Sequence, residues 1–496
     1  MYDIAPAQVQ TYNNPIPDIP FYFIILAKSH RILYGFLIGA LHGINIWLVY
    51  MIAYLMLAGI NERKRHFLSI AAGLTGFYGP ASISELGTIL QDNILSLFVL
   101  GGLILIILIY KNKLSFKDSL KVLCAAGFLV GFGTGLKLTG IIYYLAFLST
   151  LFLVAPSGRS RILNALVFWI SGSVGIMISA GPHMFKLWKA FGNPLFPYYN
   201  AIFRSPYYVF NNVLDRRFLP RDIYQAIFYP FYFIKDQHLV SELIFRDCRL
   251  AICYALLIVC ILVAIYKRYI KKSDTKLFTD FAGLKISNDM RLIHIFFMVF
   301  FVLSYICWEY EFSIYRYILS LELLAPVFIA IMLGHLFRSE KNYIRSVIVI
   351  FVVIIMTTST INWGRKPWSQ DYFDVKIPAI KDLSRFTVVY VGGDAFSYII
   401  PFFPKETRFI GVENNFIKIA PNTLLLEQIK KMISKNDKLL LIYNQNEKMD
   451  YDKVLALYGL EINAPNKIAG MSILRIHTNI DDNLLLVPLK RKINSI

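Results

Sequence analysis

Apolar residues along this chain gather into ten long runs that are separated by short polar segments. A helix that crosses the ~30 Å hydrocarbon core of a bilayer needs about 20 mostly apolar residues. The runs lie near 31–57, 67–84, 94–110, 119–135, 138–154, 162–182, 250–266, 292–308, 317–336 and 346–362. The pattern predicts an α-helical polytopic membrane protein with about ten spanning helices and a transmembrane domain at 31–363.

Basic residues cluster in every second connection between the runs. Cytoplasmic loops of membrane proteins carry an excess of Lys and Arg. We therefore expect these connections to be cytoplasmic, and the alternate segments, including a long loop at 183–248, to be extracytoplasmic. Lys28 and Arg31, on the outer side of the first run, go against this trend. The clusters are Arg63, Lys64 and Arg65; Lys111, Lys113 and Lys117; Arg159 and Arg161; Lys267, Arg268, Lys271 and Lys272; and Arg338, Lys341 and Arg345.

The first segment, 1–30, has the composition of an extracytoplasmic loop. It contains a Pro- and Asn-rich stretch at 13–18 and lacks the pattern of a cleavable signal peptide. Because an even number of spans places this terminus outside, we expect the recorded chain to lack an upstream spanning helix. The alternative is a short N-terminal tail that crosses the membrane without a signal.

The last segment, 364–496, alternates strand-like and helix-like patterns. Strands are predicted at 386–391, 408–412, 439–443 and 471–475, and helices at 422–434 and 451–458. This alternation predicts a soluble extracytoplasmic α/β domain. Gly392, Gly393 and Asp394 follow the first strand, where they could form either a phosphate cradle or a plain tight turn.

The composition agrees with a membrane protein. The chain is 56% hydrophobic and 17% charged, whereas soluble proteins carry roughly 25% charged residues. The net charge of +19 suits basic cytoplasmic loops, so we expect membrane lipids as partners and no nucleic acid. The cysteines lie in or beside apolar runs without metal-ligand spacing, which predicts buried thiols and no metal site.

Two carboxylates, Glu85 and Asp92, lie in the connection 84–93 on the predicted outer side. In a helix they would be two turns apart and on one face. Ionisable groups beside spans usually mark function, so both are candidate catalytic residues. The structural alternative is that Asp92 caps a helix that begins at Asn93.

Lys137 lies among glycines where two predicted spans meet at the outer surface. It could contact a phosphate, or its long side chain could extend to the interface.

The outer turn 308–317 contains Glu309, Glu311, Tyr315 and Arg316. Arg316 opens a span on its outer side, where topology statistics do not favour a cation. Its planar fork suits bidentate binding of phosphate. The alternative is an ion pair with Glu309 or Glu322.

The segment 192–208 is rich in aromatic residues, with interspersed Pro and Arg. It is either an anchor in the headgroup plane or the border of an access route for a lipid-linked ligand.

Two absences narrow the function class. No Walker motif occurs, so ATP is not expected to power the protein directly. No pair of Gly- or Pro-broken segments repeats in two halves, which argues against a secondary transporter.

Several blocks of the chain resemble one class of membrane enzyme. They are similar to blocks in uncharacterised bacterial members of the GT-C class of integral membrane glycosyltransferases, and together they cover most of the chain. The blocks are MYDIAPAQVQTYNNPIPDIP at 1–20, ALHGINIWLVY at 40–50, SELGTILQDN at 84–93, GFGTGLKLTG at 131–140, FGNPLFPYYNAIFRSPYY at 191–208, YRYILSLELL at 315–324 and GGDAFSYIIPFFP at 392–404.

The resemblance implies that a sugar moves from a polyprenyl phosphate carrier to an extracytoplasmic glycan or lipid acceptor. The location would be the bacterial cytoplasmic membrane, and the lipid-linked sugar would be a co-substrate with no further cofactor. Members of the class use an acidic residue in their first extracytoplasmic loop as the base. That loop lies upstream of the region equivalent to residue 1 here, which agrees with a missing first spanning helix.

In such a reaction a carboxylate activates the acceptor hydroxyl, and cations stabilise the leaving phosphate. We therefore predict that Asp92 and Glu85 are catalytic and that Arg316 and Lys137 bind the donor phosphate. We further expect Glu309, Glu311 and Tyr315 to contact the acceptor or the donor.

Two rival functions remain at this point. A flippase or exporter of lipid-linked oligosaccharides would need charged groups along a path through the bilayer, whereas the candidates gather at the outer face. An inactive scaffold subunit of a polysaccharide system would fit a chain that lacks its first helix.

Overall fold

The computed structural model describes residues 12–27, 30–154, 158–213, 215–266, 269, 278–363, 374–392, 397–413, 422–447, 450–463, 473–478 and 483–492. The chain forms two compact units. The helical unit comprises Ile16–Pro182 and Asp215–Gly364. The sheet unit comprises Met1–Pro15, His183–Leu214 and Arg365–Ile496. Residues 183–214 thus group with the C-terminal sheet and not with the helical part.

The helices are α1 (Ile19–Leu26), α2 (Arg31–Met56), α3 (Glu62–Phe77), α4 (Pro80–Ser84), α5 (Asp92–Lys111), α6 (Phe116–Leu136), α7 (Ile141–Leu153), α8 (Gly158–Ser179), α9 (Gly181–Phe191), α10 (Asn200–Phe203), α11 (Ile223–Ile227), α12 (Tyr229–Lys235), α13 (Arg249–Ile265), α14 (Asn288–Glu311), α15 (Leu319–Leu336), α16 (Glu340–Thr357), α17 (Leu424–Ser434) and α18 (Tyr451–Ala456).

Each of the ten predicted apolar runs coincides with a helix of the helical unit. Within the described residues, six helical segments are long and apolar enough to cross a membrane: Arg31–Met56, Asp92–Lys111, Phe116–Leu136, Ser160–Ser179, Asn288–Glu311 and Tyr315–Leu336. The segments Leu138–Leu153 and Arg249–Ile265 are apolar but shorter. The remaining two, α3 and α16, begin with charged residues. The chain is therefore a helical protein with the character of a membrane protein.

The helix α15 forms the centre of the helical unit. Every residue from Leu319 to Gly334 is buried, and the helix contacts α2, α3, α5, α13, α14 and α16. A helix that is apolar on all sides is stable only when it is surrounded on all sides. Here the surroundings of α15 are other helices.

The helices α6 and α8 pack closely because small residues line both. Gly127, Gly131 and Gly135 repeat every four residues along α6. A Cβ atom added at Gly131 would collide with the backbone of Gly172 on α8. Such small-residue faces let helix backbones approach each other, as is common in membrane helix pairs.

Contacts between distant segments define one end of the helical unit, which we call the basic end. Lys64 lies 2.9 Å from Glu340, and Lys113 lies 3.2 Å from Asp289. The predicted basic clusters at 63–65, 111–117 and 338–345 therefore lie at helix ends that meet. The cluster at 267–272 lies outside the described residues, as does Lys28.

The sheet unit contains a six-stranded mixed sheet, and a two-stranded hairpin of β1 (Asp280–Phe281) and β2 (Leu284–Lys285) belongs to the helical unit. The sheet strands are β3 (Thr387–Val391), β4 (Arg408–Glu413), β5 (Leu439–Asn444), β6 (Leu460–Ile462), β7 (Leu474–Ile476) and β8 (Leu484–Arg491). Their order is β4-β3-β5-β8-β6, with β7 also paired to β8. The β3 strand is parallel to both β4 and β5, whereas β8 is antiparallel to its partners.

The predicted C-terminal α/β region is confirmed as a sheet with the helices α17 and α18. The strand predicted at 471–475 is observed at Leu474–Ile476, and β6 and β8 were not predicted. Gly393 and Asp394 lie outside the described residues, so the glycine turn after β3 stays a prediction.

The aromatic segment 192–208 contributes to the core of the sheet unit. The ring of Phe196 stacks on Phe191 with a centroid distance of 4.2 Å and meets Tyr12 edge to face at 5.0 Å. Ile202, by contrast, is exposed. Part of this segment is therefore core, and only its remaining apolar side chains are free to act as an anchor.

The cysteines differ in their surroundings. Cys253 and Cys260 are buried, as expected, whereas Cys124 is exposed. Among the described residues, no group of three or more metal-ligating side chains occurs.

Candidate functional site

Four ionisable side chains come together at the helix ends opposite the basic end: Glu85, Asp92, Lys137 and Arg316. We call them the charged cluster. Lys137 Nζ lies 2.6 Å from Asp92 Oδ1, and Glu85 interacts electrostatically with Asp92, Lys137 and Arg316. The structure thus brings together the two predicted catalytic carboxylates and the two predicted phosphate-binding cations.

The position of Asp92 follows from the way α5 begins. The helix starts at Asp92 itself, and Gln91 before it adopts a left-handed conformation with φ of 70°. Asp92 is therefore in the first turn, where a negative charge is favoured by the helix dipole. The alternative role as the cap of a helix starting at Asn93 is not observed. Neither oxygen of Asp92 has a hydrogen bond of normal geometry within the described chain, so the contact with Lys137 is an ion pair.

Lys137 is held in place from two sides. It is the residue that ends α6, and its ammonium group donates a hydrogen bond of 2.6 Å to the carbonyl of Leu90. Its side chain is only 17% exposed, so it does not extend freely to the interface. An ammonium group has three donors, and the Leu90 carbonyl and Asp92 occupy two of them.

Glu85 is buried at the end of α4, outside the long apolar helices. Neither of its oxygens has a hydrogen-bond partner of normal geometry among the described residues. Burial and the neighbouring Asp92 raise the pKa of Glu85 well above its usual range, and Lys137 and Arg316 oppose that rise. Within this pair of carboxyl groups, Glu85 is therefore the one that holds a proton and Asp92 the one that is ionised beside Lys137.

Arg316 retains most of its hydrogen-bonding capacity. Its guanidinium donates one hydrogen bond of 3.2 Å to the hydroxyl of Tyr317 and lies 5.0 Å from the centre of the Tyr317 ring. No carboxylate of the described residues lies within 4.0 Å of it, so the expected alternative pairing with Glu309 or Glu322 is not observed. Because a guanidinium has five donors, Arg316 can still bind a multidentate acceptor.

Tyr315, Glu309 and Glu311 have other surroundings. Tyr315 is buried and donates a hydrogen bond to Asp247, and its ring packs 4.3 Å from that of Phe245. Glu309 is partly buried and interacts with Tyr229. Glu311 has interactions of its own. None of these contacts joins the charged cluster, so the predicted substrate contacts of the three residues stay predictions.

The analysis of the sequence missed a buried ion network next to this site. Arg249 is fully buried, with Nε 2.8 Å from Asp247 Oδ2. It also donates to the backbone carbonyls of Gly76 and Tyr78 at 3.1 Å each. Glu322 accepts hydrogen bonds from the amides of Ala81 and Ser82, at 3.0 and 2.9 Å. A charge at the start of an apolar run was the available signal for Arg249.

Asp18 also belongs to the surroundings of the charged cluster, although the sequence gave it little weight. Its Oδ1 accepts a hydrogen bond of 2.8 Å from Gln91, the residue before Asp92. Partial burial raises the pKa of Asp18, while the bond from Gln91 and the nearby Lys137 oppose that rise. Asp18 precedes α1 and is only partly buried, so it borders the cluster on its solvent side.

The arrangement can bind an anion next to a carboxyl pair. One guanidinium with free donors and one ammonium group lie beside a buried carboxylate and a protonated carboxyl group. The chain matches no protein-family model, no curated protein and no solved structure.

Proposed function

We propose that this chain is a membrane glycosyltransferase of the GT-C type. It moves a sugar from a polyprenyl-phosphate-linked donor to an extracytoplasmic glycan or lipid acceptor. The observation that carries this proposal is Arg316, whose guanidinium keeps free donors beside Lys137 and the carboxyl pair of Glu85 and Asp92. Charge-assisted bonds from a planar fork are well suited to a phosphate group.

The proposed topology has ten spanning helices, with the charged cluster on the extracytoplasmic side of a bacterial cytoplasmic membrane. Support comes from the two ends of the helical unit. Basic clusters meet at one end through the pairs Lys64–Glu340 and Lys113–Asp289. The charged cluster is formed by the opposite ends of α5, α6 and α15. Excess Lys and Arg mark the cytoplasmic ends of spans, and the sheet unit is then extracytoplasmic.

The chemistry uses the two halves of the charged cluster differently. The acceptor hydroxyl loses its proton to the ionised Asp92 while its oxygen forms the new bond to the anomeric carbon. The bond between that carbon and the phosphate oxygen breaks, and its electron pair stays on the polyprenyl phosphate. Arg316 and the third donor of Lys137 stabilise this developing charge.

The test is sugar transfer by the purified full-length protein in lipid nanodiscs. The donors are a panel of farnesyl-phosphate-linked hexoses and pentoses, and the acceptors are a panel of glycans and lipid-linked saccharides. Arg316→Lys keeps the charge but loses the fork, so we expect it to lower kcat/KM for the donor about tenfold or more. Arg338→Lys makes the same exchange at an exposed position of the basic end and should leave kcat/KM unchanged.

Two results would count against the proposal. One is wild-type transfer by both Arg316→Lys and Arg316→Ala, which removes Arg316 from the site. The other is movement of a lipid-linked saccharide across the membrane without any transfer, which points to a carrier.

A further inference from the structure

Directly inside the charged cluster, four buried polar side chains carry atoms without hydrogen-bond partners. They are His42 and Asn45 on α2, Ser82 on α4, and Glu85, and we call them the inner polar cluster. The atoms are His42 Nε2, Asn45 Oδ1, Ser82 Oγ and both carboxyl oxygens of Glu85, counted within the described residues. A buried polar atom without a partner costs about 1–3 kcal/mol, so a cluster of them indicates a place for a ligand.

Hydrogen bonds hold these groups next to one another. Asn45 Nδ2 donates to the carbonyl of Asn93 at 2.9 Å, and Asn93 Nδ2 donates to the carbonyl of Ser82 at 3.2 Å. His42 and Asn45 are three residues apart on α2 and so share a face. Asn93 therefore links the face of α2 to α4.

The protonation of His42 follows from its neighbour. The backbone amide of Gly87 donates to His42 Nδ1 at 3.3 Å. A backbone amide is always a donor, so Nδ1 carries no proton and the neutral ring has its proton on Nε2. His42 thus offers a hydrogen-bond donor, as does the hydroxyl of Ser82. Asn45 offers a carbonyl acceptor, and Glu85 offers acceptor oxygens.

This mixture of donors and acceptors selects the class of ligand. A cation would be repelled by the N–H of His42, and an anion would be repelled by Glu85 and the adjacent Asp92. A neutral group with several hydroxyls both donates and accepts. The mixed set is therefore matched by a ring with neighbouring hydroxyls.

We propose that the inner polar cluster binds the sugar ring of the lipid-linked donor, whose phosphate lies at Arg316 and Lys137. This inference rests on the proposed function and names the part of the substrate that each cluster recognises. The sugar would lie on the inner side of the carboxyl pair, and the phosphate on its outer side.

Binding of two matched probes separates the two clusters. Farnesyl phosphate carries the lipid and the phosphate only, and farnesyl-phosphate-linked glucose, galactose, mannose and arabinose add a sugar. With the full-length protein in nanodiscs, we expect at least one of the sugar-linked probes to bind about tenfold more tightly than farnesyl phosphate. Ser82→Ala should reduce that advantage roughly threefold to tenfold, as expected for one lost neutral hydrogen bond, without changing the affinity for farnesyl phosphate.

Two further variants complete the design. His42→Phe should have the same effect as Ser82→Ala, and Ser82→Ala keeps the test available if His42→Phe does not fold. Tyr343→Phe is the matched control, because it also removes a buried hydroxyl without a partner, but on α16 at the basic end. It should leave the affinities for both kinds of probe unchanged.

The outcomes distinguish this inference from the proposed function. If every sugar-linked probe binds only as tightly as farnesyl phosphate, the sugar site is wrong while the phosphate site stands. If the sugar increases affinity but Ser82→Ala and His42→Phe leave that increase intact, the sugar binds elsewhere and the inference fails. If farnesyl phosphate does not bind, or binds equally to Arg316→Ala, the proposed function itself fails.

Discussion

The pair of Lys137 and Asp92 shows how strongly a single residue can matter in this site. Asp92 is buried, and Lys137 is the cation within ion-pair distance of it among the described residues. Because an isolated buried charge is unfavourable, the two residues should depend on each other for stability as well as for function.

Lys137→Ala is therefore expected to lower the free energy of unfolding by about 3 kcal/mol or more, since it leaves Asp92 buried and unpaired. The double variant Lys137→Ala with Asp92→Ala should recover most of that loss, because no unpaired charge remains. Thermal unfolding in detergent measures both. A double variant as unstable as the single one would show that the pair is not coupled.

Glu85 makes stability depend on pH in a defined direction. Folding raises the pKa of Glu85, so ionising this carboxyl is harder in the folded protein than in the unfolded chain. Its contribution to stability is present below the usual glutamate pKa and is lost as pH rises from there toward the raised value. The loss is at most about 1.4 kcal/mol per pH unit.

Glu85→Gln removes this dependence. We expect the melting temperature of the variant, relative to the wild type, to increase as pH rises from 4 toward neutrality, because glutamine does not ionise. A difference that stays constant over this range would mean that Glu85 titrates normally in the folded protein.

At this scale the sequence was informative about residue types but not about partners. Glu85, Asp92, Lys137 and Arg316 could be selected because ionisable groups next to spans are costly. Their mutual contacts, and the use of Tyr315 by Asp247, depend on how helices far apart in the chain pack together. Local patterns do not contain that information.

At the scale of elements, the glycine repeat of α6 makes a sharp prediction. Gly131→Ala should destabilise the protein by about 1–3 kcal/mol, because the added methyl group meets the backbone of Gly172 and the helix pair must separate. Gly43 on α2 is the matched control, since a Cβ there has nothing within 4 Å. Gly43→Ala should be neutral or slightly stabilising, because alanine favours a helix by roughly 0.5–1 kcal/mol over glycine.

Both variants change one glycine inside a helix, so helix propensity contributes equally to them. Melting temperatures in the same detergent give the comparison. Equal stability of Gly131→Ala and Gly43→Ala would mean that α6 and α8 are not in close contact.

The helices were easier to predict than the strands for a physical reason. A long apolar run has few alternatives to a helix in a membrane protein, and all ten runs are helical. The β8 strand is a continuous apolar run, LLLVPLKR, that lacks the period of two and contains Pro488. Because proline usually argues against a central strand, this element could not be recognised from its own sequence.

At the scale of the whole molecule, the proposed topology can be tested by labelling single cysteines. The five native cysteines are first replaced by alanine. Lys235→Cys and Lys405→Cys are both exposed positions that should react with a membrane-impermeant maleimide in intact cells. Asn112→Cys, an exposed position at the basic end, should react only after the membrane is permeabilised.

Labelling of Asn112→Cys in intact cells, with protection of Lys235→Cys, would invert the topology. The charged cluster would then face the cytoplasm, and transfer to an extracytoplasmic acceptor would be ruled out.

The burial of α15 has a consequence for how the protein is made. This helix lies between helices on every side, and five of its neighbours, α2, α3, α5, α13 and α14, precede it in the chain. A ribosome therefore completes those five before the residues of α15 exist. The early helices must leave an open groove, filled by lipid or by an assembly factor, until α15 arrives and displaces it. Assembly of the helical unit is thus completed from its centre, late in synthesis.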